Sequence, residues 1–290
     1  MSAQTPLVSA FLCYSLVILL SAGAPRQWLR YVAPVIAIWL VHSITSSFVF
    51  ALVGSVYIGL TYLLRTIAPA RLASRFLWLC WGVLTLGLLT HTLPGYQGFI
   101  LAANGMVKPD SVAVTLYVNT DKVLVAWSVM QWLSVWGKTS KQPVPRALQL
   151  SYWQTGLAAV AGISGILWGA VLLGLVNWQP LLTPLIATLM VSNLLNTCVT
   201  EELLFRGGLQ RLLQRKMTPL AGLIVASAVF GAAHFSGGEW YMLLATLAGL
   251  LYGTIYWLTG RLLWAIICHW GLNVTHMLLF SWPMLPSASA

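Results

Sequence analysis

The sequence predicts an all-α fold, a polytopic transmembrane helical bundle of about eight to ten spans, and three observations carry that prediction. Hydrophobic residues make up 59% of the 290 positions and charged residues only 7%, where a soluble domain carries about a quarter charged residues. Mean hydropathy is +0.84, and apolar runs of roughly 17–25 residues, long enough to cross a bilayer, recur along the whole chain. Fifteen Trp and ten Tyr suit a protein with many membrane–water interfaces, where amphipathic rings settle. Helices follow because lipid offers no partner to an open backbone N–H or C=O.

In chain order the candidate spans are 5–23, 31–46, 47–64, 76–93, 123–136, 154–177, 181–214, 219–236, 240–259 and 262–281. The first has no basic residue before it, so it reads as a signal anchor or first span, although Ala22-Gly23-Ala24 resembles a cleavage site. A tight hairpin near Ser43–Ser47 between the second and third places both basic flanks on one side. Residues 94–122, with Pro94, Gly95, Gly98, Gly105, Pro109 and Asp110, read as an external loop or a re-entrant piece. The run 123–136 is short for a span.

The net charge of +10 does not point to nucleic acid, because the basic residues form no single face. They fall in clusters between apolar runs: Arg26 and Arg30; Arg65, Arg71 and Arg75; Lys138, Lys141 and Arg146; Arg211, Arg215 and Lys216. These are the positions of cytoplasmic loops under the positive-inside rule, which implies a multi-pass protein of the inner or plasma membrane in a bacterial host. The segment Lys138–Arg146, with Pro143 and Pro145, divides N-terminal helices of unassigned role (1–145) from a C-terminal core (146–290) whose motifs fall within 180–280. Cys13, Cys80, Cys198 and Cys268 show no C-x-x-C spacing and read as buried free thiols.

The chemistry concentrates in that core. Of five acidic residues, Glu201 and Glu202 are adjacent within one long apolar run. A carboxylate at mid-membrane costs about 2.5–3.5 kcal/mol, so it needs a partner, a water-filled cavity or a proton. Arg206 lies one helical turn after Glu202. Neighbouring helical positions diverge by about 100°, so one glutamate pairs with Arg206 and the other turns to a cavity; Glu202 is read as the paired one, and the two can be exchanged. His234 follows the basic turn at Lys216, at about the depth of Glu201 in an antiparallel helix pair. His269 and Asn273, at i and i+4, share a face of the last span. A glutamate and histidine can activate water, and a histidine–asparagine pair can receive a developing oxyanion.

Glu201-Glu202-Leu203-Leu204-Phe205-Arg206 matches E-E-x-x-x-R, Phe230-Gly231-Ala232-Ala233-His234 matches F-x-x-x-H, and His269-Trp270-Gly271-Leu272-Asn273 matches H-x-x-x-N. In that order they resemble the motifs of the CPBP family, also called the Abi or CAAX-protease-like family, whose eukaryotic branch includes the Rce1-type prenyl endopeptidases. The resemblance implies an intramembrane endopeptidase acting on a membrane-associated protein or lipidated peptide. It implies Glu201 as general base with His234, His269 and Asn273 at the oxyanion, and Glu202 and Arg206 as shaping residues. Such proteins are described both as metalloproteases and as metal-independent glutamate proteases. The absence of H-E-x-x-H favours the second, with no cofactor and no metal, zinc being the alternative.

Other residues are read more plainly. His42 and His91 are taken as structural hydrogen-bonding groups, His276 as outside the site, with a supporting place about one turn beyond Asn273 as the alternative, Asp110 and Asp121 as solvated, and Gly207-Gly208 as a close-packing spot or helix break. Cys198 and Cys268 are discounted as nucleophiles. The basic turn after Glu201 suggests a cytoplasm-facing cavity. Competing functions are a non-proteolytic membrane scaffold or bacteriocin self-immunity-type protein, and a transporter with a Glu/His relay.

Overall fold

The computed structural model describes residues 5–45, 47–66, 72–133, 135 and 150–286; the boundary expected at Lys138–Arg146 lies outside them. The chain is a helical membrane bundle. Its first helices are α1 (Thr5–Ala22), α2 (Gln27–Ile44), α3 (Phe48–Thr66) and α4 (Leu72–Leu89). The short α5 (Lys122–Met130) is followed by α6 (Tyr152–Leu172) and α7 (Pro184–Ser192). A π-helical turn at Asn193–Cys198 leads to α8 (Val199–Glu202), and a second at Leu203–Gln210 leads to α9 (Arg211–Lys216). The last helices are α10 (Pro219–Ala232), α11 (Glu239–Thr259) and α12 (Leu262–Leu279). Among the described residues α3, α6, α11 and α12 are long and apolar enough to cross a membrane, and Pro6–Ala22, Ser74–Leu89 and Pro219–Ala232 are shorter apolar helices.

Local chemistry sets the helix ends. Ser151 and Gln154 form a reciprocal capping box at the start of α6. Thr183-Pro184 and Thr218-Pro219 each place a capping hydroxyl before a proline at the first helical position, where its missing N–H costs nothing. Gly260, at φ +66°, ends α11 in the left-handed conformation that a side chain resists.

Residues 94–122 contain what the sequence reading missed, a two-stranded sheet of β1 (Phe99–Gly105) and β2 (Val114–Val118). The run Val114-Thr115-Leu116-Tyr117-Val118 is rich in the β-branched and aromatic residues that strands favour.

The chain forms two compact units. The first comprises Met1–Ala102, Leu116–Trp132 and Leu195–Thr200. In it α5, buried from Val123 to Val129, packs against α1, α3 and α4. Small polar pairs tie these helices together: Tyr57 with Thr85 at 2.9 Å and Thr61 with Ser128 at 2.8 Å. Asp121 corrects the expectation of a solvated residue. It is fully buried, caps α5, and its carboxylate lies 2.8 Å from His91 Nδ1. The hydrogen bond with His91 and the helix N-terminus compensate for lost water. Asp110 is exposed.

The second unit comprises Ala103–Thr115, Leu133–Leu194 and Glu201–Ala290. Here α11 packs against α6, α10 and α12. At the far end of α12 the chain turns back in extended form. The Gln179 N–H donates to Leu279 O at 2.8 Å, Ser281 N–H to Asn177 O at 2.8 Å, and Leu285 N–H to Leu175 O at 2.9 Å. Lys108, 1% exposed, donates to the carbonyls of Gln179, Leu278 and Phe280 at 2.8, 3.1 and 2.7 Å. A cation there also favours the negative C-terminal end of α12.

Candidate active site

The glutamates sit between two π-helical turns, 193–198 and 203–210. Such turns widen a helix locally and recur at functional sites. Of the two carboxylates it is Glu202 that meets Arg206: both side chains are fully buried, with Oε2 3.2 Å from Nε. The other oxygen, Oε1, accepts from His269 Nδ1 at 2.9 Å. One glutamate therefore bridges two cationic or protonatable groups on different elements.

Aromatic faces hold this cluster. The Arg206 guanidinium lies 4.8 Å from the Phe230 ring centroid and 5.7 Å from Tyr252, a desolvated cation–π arrangement. Tyr252 stacks on His269 at 4.5 Å and 14°, and Phe230 contacts the rings of both His234 and His269. Sequence reasoning passed over Tyr252 because nothing local marks an aromatic on α11 as different from any other lipid-level ring.

His234 lies just past α10, and its Nδ1–H donates to Phe230 O at 2.8 Å. A carbonyl can only accept, so this bond fixes the proton on Nδ1 and leaves Nε2 of the neutral ring as an acceptor. Asn273 on α12 donates from Nδ2 to Asn193 Oδ1 at 3.0 Å. Asn193, at the start of the first π turn, is a positioning residue that the motifs do not include.

These side chains meet at one cavity of about 100 Å³. His234, His269 and Asn273 line it, together with Tyr241 and His276. Its apolar wall comes from α6, through Ile166, Leu167 and Ala170, and from the C-terminal tail, through Pro283 and Met284. His276 also lines the cavity, the alternative place read for it, and its Nε2 donates to Ser281 O at 3.2 Å. Glu201 is not among the lining residues. It is half-buried beside them, and its Oε2 meets no hydrogen-bond partner among the described residues. Gly207 is a close-packing position: a Cβ there would stand 2.8 Å from a Leu133 methyl.

A zinc centre would need a gathered ligand set. Among the described residues no group of three or more His, Cys, Asp and Glu is placed to hold a metal ion. His269 Nδ1, moreover, is committed to Glu202.

Residues 183–275 match the family model described as type II CAAX prenyl endopeptidase Rce1-like. The chain carries an Rce1-like domain. That domain supports placing the chain in the CPBP or CAAX-protease-like family, and supports an intramembrane endopeptidase of the CAAX-protease type in general, with a membrane-associated protein as substrate. It contains Glu201, Glu202, Arg206, His234, His269 and Asn273, whereas the α6 and tail walls of the cavity lie outside the Rce1-like match. Comparison with curated proteins and with solved structures gives no match.

Proposed function

We propose that this chain is a multi-pass intramembrane endopeptidase of the glutamate type, its catalytic core in the C-terminal half. The observation that carries the reading is the convergence of His234, from the end of α10, with His269 and Asn273, from α12, on one cavity beside Glu201. A water held between the Glu201 carboxylate and His234 Nε2 gives up a proton to this pair as it attacks the scissile carbonyl carbon. The negative charge that develops on the carbonyl oxygen is met by Asn273 and by His269 Nε2–H. The same proton then passes to the leaving amine as the C–N bond breaks.

Glu202 has a separate task. By accepting from His269 Nδ1 it holds the ring in place, and by pairing with Arg206 it keeps a buried cation compensated. Removal of either partner would leave an isolated charge in low dielectric.

The reading requires no metal, and the substrate is a peptide bond in a membrane-associated protein or lipidated peptide. The test is cleavage of a panel of prenylated and plain peptides by the detergent-purified protein, with Glu201→Gln and a chelator in parallel. Cleavage that survives chelation and disappears in the variant is the expected result. Loss on chelation with recovery on added zinc would overturn the glutamate mechanism. A folded wild type that binds peptides without cutting them would favour the scaffold reading.

A further inference from the structure

The placement of the cavity along its helices bears on which face of the membrane delivers the substrate, an inference that rests on the proteolytic reading. In the second compact unit four of the described basic residues gather at one end. Arg211, Arg215 and Lys216 form the last turns of α9, and Arg261 immediately precedes α12. α10 and α12 begin at that end, and α11 finishes there. Under the positive-inside rule it is the cytoplasmic end.

The cavity occupies the opposite end. Leu167 and Ala170 belong to the last two turns of α6, His234 follows the last residue of α10, Tyr241 is in the first turn of α11, and His276 is in the last turn of α12. His234 lies beyond the 14 residues of α10, which at 1.5 Å per residue put it on the order of 21 Å from the basic turn, most of the ~30 Å depth of the hydrocarbon core. The basic turn is near Glu201 in sequence, but the intervening 15 residues of helix separate them by on the order of 22 Å. The cytoplasm-facing opening that this proximity suggests is therefore not the one the helix ends describe.

The rim is built from that same far end. Pro283 and Met284 form part of the cavity wall. The tail that carries them is fastened by the Val112 N–H to Met284 O bond at 2.9 Å, by the pairing of Leu285 with Leu175, and by Lys108 on the Phe280 carbonyl. Non-helical backbone of this kind belongs at the water interface or under protein cover, not against lipid. The charges nearby are few and mixed, Lys108, Asp110 and Glu239.

We propose that the cavity opens to the non-cytoplasmic face and receives an extended juxtamembrane segment of an exported or membrane-anchored protein. An apolar side chain of that segment sits between Ile166, Leu167 and Met284, next to the scissile bond.

Sidedness is read by labelling. Met284→Cys and Met217→Cys are made separately in a background where Cys13, Cys80, Cys198 and Cys268 are replaced by serine, and a membrane-impermeant maleimide is applied to sealed cells. Met284→Cys is expected to label in sealed cells, and Met217→Cys, in the exposed basic turn, only after permeabilisation. The reverse pattern overturns the proposal. If the cysteine-free protein fails to fold, an epitope appended after Ala290 in the otherwise unaltered chain gives the same readout: antibody binding to sealed cells supports the proposal, and binding only after permeabilisation contradicts it. Labelling does not depend on catalysis, while cleavage in detergent opens both faces, so the two readings fail separately. In the cleavage assay Met284→Trp should lower kcat/KM about tenfold for peptides with a large apolar residue beside the scissile bond and little for those with alanine; an equal loss for both contradicts the pocket.

Discussion

His269 Nδ1 stands 2.9 Å from Glu202 Oε1, and that bond decides what the other side of the ring can do. An ionised carboxylate only accepts, so the shared hydrogen sits on His269. The ring can then donate to an oxyanion from Nε2 only as an imidazolium. Glu202 is in turn compensated by Arg206 on its other oxygen. In the proposed mechanism the two adjacent glutamates have separable roles, Glu202 in the ionic framework and Glu201 in the chemistry.

Stability should separate them. Glu202→Gln leaves the fully buried Arg206 without a counter-charge and is expected to cost about 3–5 kcal/mol. Glu201→Gln removes a carboxylate that has an unpartnered buried oxygen, so the fold should change by less than about 1 kcal/mol while cleavage falls by about 10²–10⁴. Thermal unfolding in detergent, alongside peptide cleavage, measures both. A reversed order of stabilities would exchange the two assignments.

Asn193→Ala should slow cleavage about tenfold, or roughly 1.4 kcal/mol, because the Asn273 amide loses the acceptor that orients it. Asn193→Asp still offers an oxygen and should restore most of the rate. Equal losses in both variants would mean that Asn193 acts only in packing.

Gly231→Ala tests the close approach of α10 and α11. A Cβ there would collide with Thr246 Oγ1 and stand 2.8 Å from the Met242 carbonyl oxygen. Overpacking of this kind costs about 1–3 kcal/mol, and His234, three residues on, should move with the displaced backbone. The expected outcome is a lower melting temperature together with a loss of rate; an unchanged protein would contradict this packing.

Lys108 gives a pH signature. Burial lowers its pKa from 10.5 to about 8. Between those values the unfolded chain holds a proton that the folded protein has released, so this group makes stability rise with pH from about 8 toward 10.5. Below pH 8 the burial cost is fully present. In Lys108→Met this component should vanish, and the carbonyls left without a donor should cost about 1–3 kcal/mol at pH 7. Unfolding of both proteins at pH 7 and 9.5 checks the sign: the wild type should gain over that interval relative to the variant.

Much of the bundle was legible because apolar runs and their basic flanks are local signals. The hairpin between α2 and α3, the proline-started α10, and the Glu202–Arg206 turn can all be read from neighbouring residues. What escaped depends on distant pairing. Asn193 meets Asn273 across 80 positions, and Lys108 meets Phe280 across 172, and neither partner carries a mark of the other. Asp121 looked solvated because its surroundings are mixed in polarity; its burial depends on His91, 30 residues earlier. The π-helical turns around Glu201 and Glu202 have no compositional signature at all.

The most direct measurement is cleavage of the prenylated and plain peptide panel by detergent-purified protein, comparing wild type with Glu201→Gln with and without chelator. The account predicts cutting by the wild type that is indifferent to the chelator and absent in the variant. Cutting that persists in Glu201→Gln would contradict the account at its centre.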